Sequence, residues 1–168
     1  MSQPLITPDN SNDPANASTG RANISAERFI SPDYMAGEMD NIWSKMWLVA
    51  GVASDVQEPG DYFVFNLGSE SILVSRTHSG ELAAMYNVCQ HRGARVMVND
   101  MGAIDAFVCP YHGWTYDLDG TLKTVPDEDR FSQGAPCDKL SLPPVRVESW
   151  GAMIWICMDD DVSSNRRH

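Results

Sequence analysis

Two short segments decide how this chain reads: Cys89-Gln90-His91-Arg92-Gly93 and Cys109-Pro110-Tyr111-His112-Gly113-Trp114. The first spaces cysteine and histidine as C-x-H, the second as C-x2-H. Each carries a glycine within two residues of its histidine. A strand-like apolar run precedes each one, MYNV before the first and AFV before the second, so both read as loops at strand ends. An isolated histidine is ordinarily a satisfied structural residue. Two histidines at matching offsets from two cysteines, in matching glycine-containing loops, instead mark a candidate metal centre.

The ligand chemistry leans towards iron and sulfide. Thiolates are soft anionic ligands suited to iron with bridging sulfides. Imidazoles are neutral donors, and two of them on one iron lower its negative charge and raise the reduction potential. The arrangement predicts a [2Fe–2S] cluster, with Cys89 and Cys109 on an inner iron and His91 and His112 on an outer one. Gly93 and Gly113 let the backbone turn tightly and direct N–H groups at sulfur. A tetrahedral Cys2His2 zinc site is the alternative at this point. Zinc modules usually pair like with like at short spacing, whereas both pairs here are mixed.

Outward from these loops the chain alternates short apolar runs with turns. LVAGVA, DYFVFNLG, SILVSR and ELAAMYNV precede the first loop; AIDAFV, WTYDL, TLKTV, VRVESW and GAMIWICM surround and follow the second. Asp119-Gly120 between two such runs is a hairpin signal. The pattern predicts a mainly β, antiparallel domain over residues 47–158, with residues 126–144 as a proline-bearing loop. Residues 25–46 form an N-terminal helical segment. Within it, Ser31-Pro32-Asp33 marks a helix start. Met35, Met39, Ile42 and Met46 then supply one apolar face over about 32–46, expected to pack into a core. Residues 1–24, rich in Ser, Asn, Asp and Pro, read as a disordered leader, and residues 159–168 as a polar tail.

The 168 residues suit one domain. A formal net charge of −11 argues against a nucleic-acid or anionic-membrane surface. No apolar run is long enough to span a bilayer, and the N-terminus lacks the pattern of a secretory signal. A cytoplasmic, reducing setting follows, where cysteines serve as ligands or core residues rather than disulfides. Cys137 and Cys157 are expected to be non-ligands, Cys157 in the core. His78, beside the Ser79-Gly80 turn, is expected to be exposed. Trp114 is expected to cover the loops and keep water from them. Arg92 could offset cluster charge or face a partner, and Arg95 is similar.

C-x-H-R-G followed by C-x2-H-G-W resembles the Rieske domain of ring-hydroxylating and related Rieske non-haem iron oxygenases. WSKMWLVAG, EPGDYFVF and CPYHGWTYDLDGTLKTVP extend the resemblance to about residues 25–158, the N-terminal third of an oxygenase α subunit. It implies an antiparallel Rieske β-sandwich with one N-terminal helix. It also implies a role as an oxidoreductase component, in aromatic hydrocarbon catabolism by a dioxygenase-type enzyme. A reductase or ferredoxin would supply the electron. The acceptor would be a mononuclear Fe(II) held by two histidines and a carboxylate in a catalytic domain. These residues lack that domain, so the chain reads as a truncation, a separately encoded domain or a stand-alone Rieske ferredoxin. The resemblance implies a trimer in which His112 reaches a neighbouring α subunit. Respiratory Rieske proteins carry an extra cysteine in each loop, where this chain has Ala94 and Tyr111, and a serine where it has Trp114. The expected potential is therefore at the low end of the Rieske range, on the order of −150 mV.

Overall fold

A computed structural model describes residues 25–161. The expected leader over 1–24, and the part of the expected tail beyond 161, lie outside the described residues. The described chain separates into two compact units, one ending at Ile42 and one beginning at Trp43.

The first unit holds α1 (Glu27–Ile30) and α2 (Pro32–Asn41). Ser31 occupies the N-cap in an extended conformation and Pro32 opens α2, as the sequence implies, although the serine hydroxyl makes no capping bond. The helix stops at Asn41 rather than at 46. Ile42 leaves helical geometry at φ −125°, ψ −71°, and the Asn41 side-chain amide turns back to the Gly37 carbonyl at 2.8 Å. A glycine inside the helix and the run Ile42-Trp43-Ser44 after it are poor helix formers. The expectation of a core-packed methionine face is also corrected. No residue of α2 is buried, and Met35, Ile42 and Met46 are all exposed. With Met46 beyond the helix, the remaining apolar stripe is too short to seal a core.

Among the described residues, the second unit is built from ten strands: β1 (Leu48–Val52), β2 (Asp61–Leu67), β3 (Glu70–Arg76), β4 (Leu82–Tyr86), β5 (Met101–Ala103), β6 (Phe107–Val108), β7 (Thr115–Tyr116), β8 (Leu122–Thr124), β9 (Pro144–Trp150) and β10 (Met153–Cys157). Among the described residues, every strand pairs with its neighbours in antiparallel fashion. Seven strands run in the order β1-β10-β9-β4-β3-β2-β5, and three in the order β6-β7-β8. The run AIDAFV is not one strand. It divides between β5 and β6, which belong to different sheets. The 126–144 loop contains a short 3-10 turn at Glu128–Arg130 and further hydrogen-bonded turns at Phe131–Gly134 and Pro136–Leu140, and it ends earlier than expected, because Pro144 already opens β9.

The middle strands are covered on both faces, which explains their nearly continuous apolar sequence. In β3, Ile72 and Val74 enter one core with Phe63, Ala84, Val145, Ile154 and Ile156. Leu73, between them, points the other way into a second core with Tyr62, Met85, Phe107, Tyr116 and Leu122. Period-two alternation thus feeds two cores from one strand. Buried Ser75 ties that strand across the second core, its hydroxyl donating to the Leu118 carbonyl at 2.6 Å. Cys89 and Cys109 belong to this second core, so the candidate ligand loops are rooted in it.

Candidate metal centre

The first candidate loop follows β4, and the second joins β6 to β7. Both fold into the same turn. Cys89 N–H donates to the Ala94 carbonyl at 2.8 Å, and Gly93 N–H donates back to the Cys89 carbonyl at 2.9 Å. Cys109 N–H likewise donates to Trp114 at 2.9 Å, and Gly113 N–H to Cys109 at 2.9 Å. Gly93 at φ 74° and Gly113 at φ 71° sit in the left-handed region that closes each turn without a Cβ penalty. The glycines' own N–H groups are therefore spent on the cysteine carbonyls. The amides that do face sulfur are those of Tyr111 and His112, directed at the Cys109 thiol.

The two loops bring unlike groups to unlike depths. Cys89 and Cys109 are 2% and 1% exposed, whereas His91 lies at the surface and His112 is half-buried. The imidazole Nδ1 atoms are 3.1 Å apart, with the rings edge to face at 78°. Two nitrogens bound tetrahedrally to one ion at ordinary metal–nitrogen lengths would lie about 3.3 Å apart. The imidazoles are therefore close to a geometry for sharing one iron. The thiols interact with one another as a second pair. Among the described residues, no three His, Cys, Asp or Glu side chains converge on a single ion. Two buried thiols beside two imidazoles nearer the surface are the donor arrangement that a two-iron cluster would use.

The surroundings account for the electrostatics. Burial pushes the Cys109 thiol up; the Tyr111 amide opposes that shift, and neighbouring Cys89 adds to it. His91 is held below the ordinary imidazole value, first by desolvation, then by His112 and Arg92. The residue is exposed as a whole, but its ring lies against Trp114, stacked at 4.8 Å and 13°. Trp114 itself is buried. Tyr111 tilts against His112 at 4.3 Å and stays exposed. Arg92 and Arg95 are exposed.

Two buried residues escape a sequence reading. Tyr116 in β7 places its hydroxyl 3.2 Å from Cys89 Sγ and 3.0 Å from the Gln90 amide nitrogen, which donates to it. Burial and the cysteine raise its pKa, so the phenol stays protonated and can donate to sulfur. Asn87 lies beneath the first loop. Of the other cysteines, Cys157 is buried in β10, and Cys137 is half-buried with its thiol 3.7 Å from a Glu128 carboxylate oxygen. All four cysteines are free, so no disulfide clips the loops. His78 is exposed as expected, 3.0 Å from the Asp105 carbonyl and 3.6 Å from Asp117.

Residues 46–150 match the family model of the Rieske [2Fe-2S] domain. The chain is 39% identical over 137 residues to the chloroplastic choline monooxygenase of Beta vulgaris, covering 82% of this chain and 30% of that protein. It is 36% identical over 136 residues to the chlorobenzene dioxygenase α subunit of Cupriavidus sp., covering 79% and 30%. Naphthalene 1,2-dioxygenase from Rhodococcus sp., solved bound to indole, superposes with a TM-score of 0.75 at 31% identity, covering 80% of this chain and 31% of that one. The chain therefore spans about 30% of the length of the curated relatives it matches. No helix among the described residues is long and apolar enough to cross a membrane.

Proposed function

The chain belongs to the Rieske [2Fe–2S] domain family, and on that premise we propose that it is the electron-transfer part of an oxygenase α subunit, with Cys89, His91, Cys109 and His112 as the cluster ligands. The observation that carries this reading is the pairing of two buried thiols with two rim imidazoles whose Nδ1 atoms are 3.1 Å apart. When bound, such a cluster supplies one-electron chemistry between a reductase or ferredoxin donor and a mononuclear iron elsewhere in the oxygenase. Cys89 and Cys109 would hold the inner iron away from water. His91 and His112 would hold the outer iron at the surface, where a neighbouring subunit or donor can approach. Trp114 excludes solvent from the His91 side. With Cys89 bound as a thiolate, the Tyr116 hydroxyl 3.2 Å away would donate to it. Arg92, beside His91, places a positive charge at the rim.

The relatives bear on the substrate in two directions. Likeness to chlorobenzene dioxygenase supports the aromatic substrate expected from the motifs, and likeness to choline monooxygenase supports a quaternary ammonium compound as a second reading. The two identities, 36% and 39%, are close, so the shared part of the chain follows electron transfer rather than substrate. Product analysis of the whole oxygenase with choline and with an aromatic hydrocarbon separates the two.

The cluster is tested by anaerobic purification. Two irons and two acid-labile sulfides per chain are expected, with an EPR signal that appears only on reduction and is lost in Cys89→Ser and His112→Ala. A colourless chain carrying zinc and no sulfide overturns the proposal.

A further inference from the structure

The two ligand loops return to the protein by different routes. The second is closed by a strand ladder, with Phe107 opposite Tyr116 and Val108 opposite Thr115. The first has no such ladder, because β4 ends at Tyr86 and the returning residues, Val96 and Met97, belong to no strand. Val96 is buried and Met97 half-buried, and buried N–H groups need partners. Both donate to one atom, Asn87 Oδ1, each at 2.9 Å. The Nδ2 group of the same side chain donates to the Met97 carbonyl at 2.8 Å and to Ser71 Oγ at 3.2 Å. The backbone N–H of Asn87 donates to the Ser71 carbonyl at 2.8 Å, anchoring the residue to β3. Asn87 is 3% exposed, and its amide makes all four hydrogen bonds open to such a group. Two backbone donors meeting one atom also decide which end of the amide is oxygen.

We propose that Asn87 is a positioning residue for the cluster: its side chain stands in for a missing strand partner, closes residues 87–97, and sets Cys89 and His91 against Cys109 and His112. The proposal rests on the ligand assignment above. The hydrogen bonds of the Asn87 side chain go to Ser71, Val96 and Met97. Asn87 acts through the loop it closes, two residues before Cys89 and four before His91. A residue that merely stabilised the fold would loosen both ligand loops together. Asn87 should loosen only its own.

Hydrogen exchange and iron release on the full chain test this at a temperature where wild type and variant both remain folded. In Asn87→Ala, the Val96 and Met97 amides are expected to exchange at least tenfold faster, while those of Cys109 and Gly113 keep wild-type protection. The cluster should be lost to a ferrous chelator at least tenfold faster, with an altered EPR line shape. Asn87→Asp keeps the two acceptor bonds and loses the two donated ones, so it should fall between wild type and Asn87→Ala. It also carries the test if the alanine variant fails to fold. Equal exchange gains in both loops, or unchanged iron release beside selective exchange, overturn the proposal. Wild-type protein without iron and sulfide would sink the ligand assignment instead, a different result from a cluster-bearing wild type whose variants behave alike.

Discussion

The thiol end and the imidazole end of the centre lie side by side but are built on opposite principles. The thiol end is sealed: Cys89 and Cys109 sit in an apolar core among Phe107, Leu118 and Leu122, with the Tyr116 hydroxyl at one sulfur. The imidazole end is open, with His91 exposed, Tyr111 and Arg92 beside it, and Trp114 as its one buried wall. Anionic ligands in a low-dielectric pocket respond strongly to each hydrogen bond. Neutral ligands at a rim respond weakly, and salt screens what they feel. The difference teaches that polar tuning belongs to the buried end and access belongs to the open end.

Substitutions can break or sharpen that contrast. The largest effect is expected at Trp114, which belongs to the core of the thiol end and stacks on the imidazole end. Trp114→Ala should cost about 3–5 kcal/mol of stability in urea unfolding and speed cluster loss; a loss below 1 kcal/mol would show that the two ends are independent. Next come the turn glycines. Gly93→Ala and Gly113→Ala should each cost about 1–2 kcal/mol from left-handed strain. Gly113→Ala should cost more, because a new Cβ would lie 3.3 Å from Pro126 Cγ, whereas Gly93 has open space. Equal losses in thermal melts would dismiss the Pro126 contact.

Tyr116→Phe isolates the buried end. The phenol donates to a sulfur that gains negative charge on reduction, so removing it should lower the midpoint potential by roughly 30–60 mV, since a tenfold change in a one-electron equilibrium is 59 mV. Redox titration at two salt concentrations should find the same shift, because the bond is buried. Arg92→Gln isolates the open end and should have the smallest effect. Stability should stay within about 0.5 kcal/mol, and the potential should fall by less than in Tyr116→Phe, with a shift that fades as salt is added. A salt-independent shift at Arg92 would contradict the open-rim description.

The legibility of the molecule follows the range of its interactions. The two loops were legible because each cysteine, histidine and glycine lies within four residues of the others, and a turn is a local object. Most strands were legible because alternation and turn residues act locally. AIDAFV misled because one apolar run serves two sheets, a division made by strand partners far along the chain. The helix misled because four apolar residues at helical spacing do not report where the helix stops; Ile42 and the Asn41 side chain do. Tyr116 was hidden inside an ordinary strand run, 27 residues from the cysteine it meets. Asn87 looked like any polar residue at a strand end, although its amide satisfies backbone groups ten residues away.

The sequence by itself determined the four candidate donors, the turn that carries each candidate pair and the antiparallel β class, because these depend on chemistry and contacts within a few residues. Tertiary structure alone decided that the thiols face inward and the imidazoles outward, and that the Asn87 amide and the Tyr116 hydroxyl meet the backbone of the first loop. Those outcomes depend on which strands share a core, and burial there turns a polar side chain into one that must find its partner.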